Sequence, residues 1–145
     1  MKILFVCTGN TCRSPMAEAI AKEIFKNGDY EFSSAGISAV NSQAASENAV
    51  IAAKELGFNL NLHNSKMVTP EMIKDADLIL TMTAGHKQAL SSFGSQFNTP
   101  IFTISEYAGE NMDIPDPFGC GVSIYKECIL VLKIYLEKIY SILEG

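Results

Sequence analysis

The chain has 145 residues, 48% of them hydrophobic and 19% charged, which fits one folded domain over residues 1–145 and excludes a mainly disordered chain. The net charge of −5, without a cluster of lysine and arginine, argues against a nucleic-acid partner, and no apolar stretch reaches the roughly 20 residues that span a bilayer. We therefore expect a cytoplasmic protein that binds no membrane and keeps its four cysteines as reduced thiols.

Apolar strands alternate with amphipathic helices along the chain. A continuous apolar run typical of a strand buried on both faces lies at residues 2–6, and further strands are predicted at residues 30–35, 77–82 and 101–104. Capping residues and apolar spacing predict helices after Ser14, Ser46 and Thr69, over residues 85–93 and from Ser123 onward. This order predicts an α/β fold of three layers: a four-stranded parallel sheet, helices on both faces, and a ligand loop after the first strand.

The segment Cys7-Thr8-Gly9-Asn10-Thr11-Cys12-Arg13-Ser14 joins the first strand to a helix, and we call residues 7–14 the phosphate loop. A helix N-terminus attracts an anion because its first N–H groups are unpaired and its dipole is positive there. Gly9 and Asn10 tolerate positive φ, which lets successive N–H groups curl around a phosphate-sized group. The loop lacks the Gly-Lys-Ser/Thr of a Walker-type loop, so nucleotide hydrolysis is not expected.

Cys7 and Arg13 are the candidate reactive pair of this loop. The N–H groups, the helix dipole and a nearby guanidinium all favour the thiolate form of Cys7, which makes it a nucleophile. Arg13 is the only arginine in the chain, and its planar fork suits two phosphoryl oxygens at once. The alternative is a buried structural cysteine next to a surface arginine.

These residues carry a resemblance to a known family. Residues 6–18, VCTGNTCRSPMAE, resemble the phosphate loop of the low-molecular-weight protein-tyrosine phosphatase family, and Asp116-Pro117-Phe118-Gly119 resembles its late acid loop. Because residues 34–36 and the final helix also fall where that family has them, the resemblance covers essentially the whole chain. It implies hydrolysis of phosphorylated proteins in two steps through a phosphocysteine, with inorganic phosphate as product and with neither a metal nor a cofactor.

The resemblance also implies residue roles. Cys7 attacks the phosphoryl group, Arg13 holds it, and Asp116 protonates the leaving group. The other loop residues bind the phosphoryl group or shape the loop, Asn10 by its left-handed turn and Ser14 by donating to the thiolate. This substrate-binding set is Thr8, Gly9, Asn10, Thr11, Cys12 and Ser14.

Two aspartates of the late loop could be the acid. In Asp113-Ile114-Pro115-Asp116-Pro117 the prolines stiffen the segment and hold each preceding residue extended, a property that fits both carboxyl groups. The Asp-Pro-aromatic pattern of the family matches Asp116, and Asp113 remains the second candidate. Cys12 is open to two interpretations: a disulfide partner for oxidised Cys7, or a small residue packed behind the loop.

The substrate is predicted from two departures from the family's tyrosine-specific pattern. Thr11 stands where a bulky aliphatic residue is usual, and residues 37–40 contain no aromatic wall. Thr11 resembles the protein-arginine phosphatase branch, so phosphoarginine is the first prediction and phosphotyrosine the second. Two further functions stay open, an arsenate reductase using Cys120 and Cys128 and a phosphoprotein-binding module without turnover. We expect surface or capping roles for His63 and His86.

Overall fold

The computed structural model describes residues 1–26 and 28–145. In chain order the elements are β1 (Lys2–Cys7), α1 (Arg13–Ile24), β2 (Glu31–Gly36), α2 (Glu47–Glu55), α3 (Pro70–Asp75), β3 (Leu78–Thr81), α4 (Ala84–Phe97), β4 (Ile101–Thr103), α5 (Ile104–Tyr107) and α6 (Val122–Glu144). None of the helices within the described residues is long and apolar enough to pass through a bilayer.

The four strands form one parallel sheet in the order β2-β1-β3-β4. The last residue of β1, Cys7, lies opposite Gly36 of β2, and Val6 lies opposite Thr81 of β3. The chain adds β2 on one side of β1 and then crosses to add β3 on the other. The carboxyl end of β1 is therefore the switch point of the sheet, the place where ligands bind in open α/β sheets.

Helices cover both faces of the sheet, as the sequence predicts. Alternate side chains of β1 point to opposite faces. Ile3, Phe5 and Cys7 belong to the larger core, packed with α1, α2 and α6, whereas Leu4 and Val6 belong to the smaller core with α3 and α4. The three-layer α/β prediction is thus confirmed, with the phosphate loop leaving the buried central strand.

Several predicted boundaries are wrong. Helix α1 begins at Arg13 rather than after Ser14, because the Ser14 hydroxyl contacts the Cys7 sulfur and does not cap the helix. The predicted last strand stops at Thr103, which caps the unpredicted helix α5 through a reciprocal pair of hydrogen bonds with Glu106. Helix α4 continues to Phe97.

Candidate active site

Asn10 sets the shape of the phosphate loop. It is fully buried, and within the described loop it is the residue with positive φ, 55°. Its side-chain oxygen accepts a hydrogen bond from the Lys66 N–H at 2.9 Å, and its carbonyl oxygen lies 2.6 Å from His63 Nε2, which donates to it. The segment before α3 therefore holds the left-handed turn from behind.

The Cys7 sulfur lies at the floor of this loop and is surrounded by donors. Cys7 is 3% exposed, and its Sγ lies 2.9 Å from Ser14 Oγ. The backbone N–H of Asn10 donates to the same sulfur at 3.3 Å. The Asn10 side-chain amide donates to Ser14 Oγ at 2.9 Å. The Ser14 hydroxyl proton has two acceptors within reach, the Cys7 sulfur at 2.9 Å and the Ala35 carbonyl at 3.5 Å, and the sulfur is the nearer of the two. The arrangement stabilises a thiolate.

Arg13 connects the phosphate loop to residues 113–119, which we call the acid loop. Arg13 is buried, and its Nη1 donates to the Ile114 carbonyl at 2.9 Å. Its Nη2 lies 3.8 Å from Asp116 Oδ2, and the Asp116 side chain is 56% exposed. The same guanidinium that can clamp an anion thus positions the carboxylate of Asp116 at the mouth of the loop.

Asp113 has a different partner. Its Oδ1 accepts a hydrogen bond from the Ala84 N–H at 2.9 Å, in the first turn of α4. Asp113 therefore fastens the acid loop to a helix N-terminus, where a carboxylate is favoured. Of the two candidate acids, Asp116 is the one that the fold brings next to Arg13.

Cys12 is buried between the residue that precedes α2 and helix α6. Its sulfur lies 3.3 Å from Ser46 Oγ and 3.5 Å from Tyr125 Oη, and it is 6% exposed. Burial, with the Cys12 hydrogen bond adding to it, raises the pKa of Tyr125 to about 12. Burial likewise raises the pKa of Cys128 on α6 to about 12, so its thiol is inert near neutral pH. Cys120 is exposed.

Both histidines contact the phosphate loop, and no pattern in the sequence indicates these contacts. The expectation of a surface or capping role is wrong for His86, which is 5% exposed and whose Nε2 lies 2.9 Å from Thr8 Oγ1. Burial, assisted by the charge of Arg13, lowers the pKa of His86 to about 4, against the opposing effects of Asp113 and Asp116. No spacing in the sequence relates residues 8 and 86, so only the fold reveals this contact.

A buried thiol among donors, an arginine clamp and an exposed carboxylate at the mouth can together transfer a phosphoryl group to sulfur and protonate its leaving group. Comparison with known proteins identifies the family, since the model described as low molecular weight phosphotyrosine protein phosphatase matches residues 2–144. The chain belongs to this family. It is a cysteine-based phosphatase.

Two curated relatives of this phosphatase carry different substrate names. The chain is 44% identical over 130 residues to the protein-arginine-phosphatase of Bacillus subtilis, an alignment covering 88% of this chain and 86% of that protein. It is also 44% identical over 140 residues to the low molecular weight protein-tyrosine-phosphatase PtpB of Staphylococcus aureus, covering 92% and 96%.

Solved structures give the same picture of this phosphatase. A variant of YwlE arginine phosphatase, with a cysteine replaced by serine and a phosphorylated active-site serine, has a TM-score of 0.94 at 40% identity, covering 100% of this chain and 97% of that one. A low molecular weight protein tyrosine phosphatase from T. tengcongensis has a TM-score of 0.91 at 40% identity, covering 97% and 98%. Both substrate names therefore occur among its structural neighbours.

Proposed function

We propose that this phosphatase removes the phosphoryl group from phosphorylated arginine side chains of proteins through a phosphocysteine on Cys7. The observation that carries the mechanism is the set of donors around the Cys7 sulfur, with Ser14 Oγ at 2.9 Å and the Asn10 N–H at 3.3 Å. These donors stabilise sulfur as an anion, both as the attacking thiolate and as the group released in the second step.

In the first step the Cys7 thiolate attacks phosphorus, an S–P bond forms, and the P–N bond to the guanidinium nitrogen breaks. The electron pair of that bond leaves with nitrogen, which takes a proton from the carboxylic acid of Asp116. Arg13 and the N–H groups of the loop hold the equatorial oxygens, whose charge is spread in the transition state. Asp116 suits this role because its side chain is 56% exposed and 3.8 Å from Arg13.

In the second step water attacks the phosphocysteine. The Asp116 carboxylate now accepts a proton from the water, an O–P bond forms, the S–P bond breaks, and inorganic phosphate leaves while Cys7 returns to the thiolate. A nucleophile that must stay a free thiol fits a reducing compartment, and we propose the cytoplasm as the site of action.

Two features favour arginine as the substrate side chain. Thr11 is half-buried in the loop, and its backbone is held independently of its side chain, because its carbonyl accepts from the Ser46 N–H at 2.8 Å. The side chain of residue 11 can therefore change the pocket without changing the loop. Residues 37–40, tied to the phosphate loop by N–H bonds from Ile37 and Ser38 to the carbonyls of Cys7 and Thr8, include no aromatic ring to stack on a phenol.

Phosphotyrosine is the second candidate, supported by a specific observation. Phe118 is 75% exposed, only two residues beyond Asp116, and its N–H donates to Asp116 Oδ1 at 3.1 Å. The bond holds the backbone of Phe118 beside the proposed acid, and its exposed ring can pack against an aromatic substrate. The name of the S. aureus relative points the same way.

An arsenate reductase and a binding module have less support. A reductase of this kind needs further mobile redox cysteines, whereas Cys128 is buried on α6 with its pKa raised to about 12. A binding module without turnover has no need of a thiol surrounded by donors or of a carboxylate beside the arginine.

The test compares kcat/KM on matched phosphoarginine and phosphotyrosine peptides. We expect phosphoarginine to be preferred, and Thr11→Ile to lower the arginine-to-tyrosine ratio by about tenfold to a hundredfold, since a lost hydrogen bond to a charged group is worth about 1.5–3 kcal/mol. Thr11→Val, which removes the hydroxyl at nearly constant volume, separates the hydrogen bond from added bulk. Preference for phosphotyrosine would make tyrosine the substrate. If neither peptide is hydrolysed and arsenate causes consumption of a thiol, the protein is an arsenate reductase.

A further inference from the structure

His86 is a buried imidazole whose only side-chain partner within the described residues is an exposed residue of the phosphate loop. Nε2 lies 2.9 Å from Thr8 Oγ1, while Nδ1 is buried and has no hydrogen-bond partner there. Thr8 is exposed and directly follows Cys7, whereas Asn10, two residues further along the loop, is buried. Thr8 is therefore on the exposed side of the phosphate loop, and its hydroxyl contacts the buried imidazole.

The position of the imidazole is fixed by the first turn of α4. The His86 N–H donates to Thr83 Oγ1, which caps this helix, and the Ala84 N–H donates to Asp113. The same turn thus holds the acid loop through Asp113 and the phosphate loop through His86. The charges of Arg13, Asp113 and Asp116 all act on the ring.

The imidazole is neutral at physiological pH. Burial is the main cause, and Arg13 adds to it, so that the pKa of His86 is lowered to about 4 although Asp113 and Asp116 oppose the shift. A neutral ring matters at this place because a phosphoarginine substrate brings its own cationic group. An imidazolium would repel both that group and Arg13, whereas a neutral imidazole adds no charge.

The Thr8 hydroxyl keeps accepting capacity whichever ring nitrogen carries the proton. A hydroxyl has one proton and two acceptor lone pairs. When Nε2 donates to Thr8 Oγ1, one lone pair stays free. When Nε2 accepts from Thr8, both stay free. In each case the bond to His86 holds the oxygen in one orientation and leaves a lone pair for a donor.

We propose that Thr8, oriented by His86, is an uncharged hydrogen-bond acceptor for the guanidinium N–H groups of the leaving side chain and so selects phosphoarginine over phosphotyrosine. This inference rests on the proposed arginine phosphatase function. His86 acts through Thr8 and is a positioning residue. A guanidinium offers several N–H donors next to its phosphorylated nitrogen, whereas the phenol ring of phosphotyrosine offers none at the same place.

The experiment is a double-mutant cycle with Thr8→Val, His86→Leu and the two combined, plus His86→Gln as the conservative variant. Glutamine can place an amide near the position of Nε2, whereas leucine removes both ring nitrogens. For each protein kcat/KM is measured on phosphoarginine and phosphotyrosine peptides, and inorganic phosphate is used as a competitive inhibitor. Thermal unfolding identifies variants that no longer fold, in which case His86→Gln and Thr8→Val alone decide.

We expect each single variant to lower kcat/KM for phosphoarginine by about tenfold to a hundredfold, the combined variant to lose no more than one of them, and His86→Gln to recover most of the loss. In His86→Gln and His86→Leu, which lie outside the phosphate loop, phosphotyrosine turnover and inhibition by phosphate should change by less than about threefold. For Thr8→Val the deciding quantity is the ratio of kcat/KM on phosphoarginine to kcat/KM on phosphotyrosine, which should fall by about tenfold to a hundredfold. Equal losses on both peptides, additive losses in the combined variant, or no recovery by glutamine would each overturn the role of the pair. If the parent protein prefers phosphotyrosine, the proposed function fails instead.

Discussion

Gly36 ends β2 directly beside the phosphate loop, and its replacement by alanine provides a sharp test of how the sheet shapes the site. A Cβ at this position would lie 2.4 Å from the Thr8 carbonyl oxygen and 3.0 Å from both the Asn10 nitrogen and Ala39 Cβ. The glycine cannot withdraw, because its N–H donates to the Lys66 carbonyl at 2.9 Å and its own carbonyl accepts from the Val68 N–H at 2.9 Å.

The magnitude follows from these distances. An ordinary contact is about 3.5 Å, so the backbone of Thr8 has to move by about 1 Å. Overpacking of this kind destabilises a fold by about 1–3 kcal/mol. A displacement of about 1 Å next to a nucleophile can reduce catalysis on the order of 10²-fold. We therefore expect Gly36→Ala to lower kcat/KM on the order of 10²-fold, even at temperatures where the variant is fully folded.

The matched control is Gly57→Ala, at the end of α2. Gly57 has φ of 91° and no atom within 4 Å of the added Cβ, so alanine there is strained by about 1–2 kcal/mol without touching the site. Both variants are compared by thermal unfolding and by kcat/KM on an aryl phosphate, well below their melting temperatures. If Gly36→Ala and Gly57→Ala are equally stable and lose the same amount of activity, the added Cβ at residue 36 has no steric effect on the phosphate loop.

Three further predictions test the chemistry and the burial of the site. Cys7→Ser should abolish turnover while circular dichroism stays unchanged, because the nucleophile is lost but the loop hydrogen bonds of Asn10 remain; activity within tenfold of the parent would exclude Cys7 as nucleophile. Asp116→Asn should slow hydrolysis of substrates with poor leaving groups on the order of 10²–10⁴-fold and activated aryl phosphates much less, and the same pattern in Asp113→Asn instead would reverse the two assignments. Because the pKa of His86 is lowered to about 4, the unfolded chain binds a proton that the folded chain does not as pH falls below about 6.5. Up to about 3 kcal/mol of stability should therefore disappear between pH 7 and pH 4, and urea unfolding should show a smaller loss in His86→Gln; equal losses in both proteins would contradict a neutral buried imidazole.

The sequence by itself determined the class of fold and indicated the phosphate loop as the candidate reactive segment. A continuous apolar strand, a loop with Gly9 and Asn10, and a following helix are local patterns, since each depends on neighbours within a few residues along the chain. The motif from Cys7 to Arg13 is equally local. For this reason the parallel sheet could be predicted without coordinates, and the thiol and the arginine of the loop could be proposed as a reactive pair.

Boundaries that depend on distant partners were not predictable in the same way. Ser14 has the composition of a helix cap, but its hydroxyl is used by Cys7 and by the Asn10 amide, so α1 begins one residue earlier than Ser14. Thr103, the last residue of β4, is also the N-cap of α5, and the apolar Ile104 that follows it is typical of either element.

Only the tertiary structure decided which polar groups meet at the site. Asp113 and Asp116 share the same proline-rich context, and what distinguishes them is that one reaches the first turn of α4 and the other reaches Arg13. His63 and His86 looked isolated because their partners, Asn10 and Thr8, lie far away in sequence. Parallel strands return successive loops to one edge of the sheet, and this convergence, which no local pattern records, assembles the pocket.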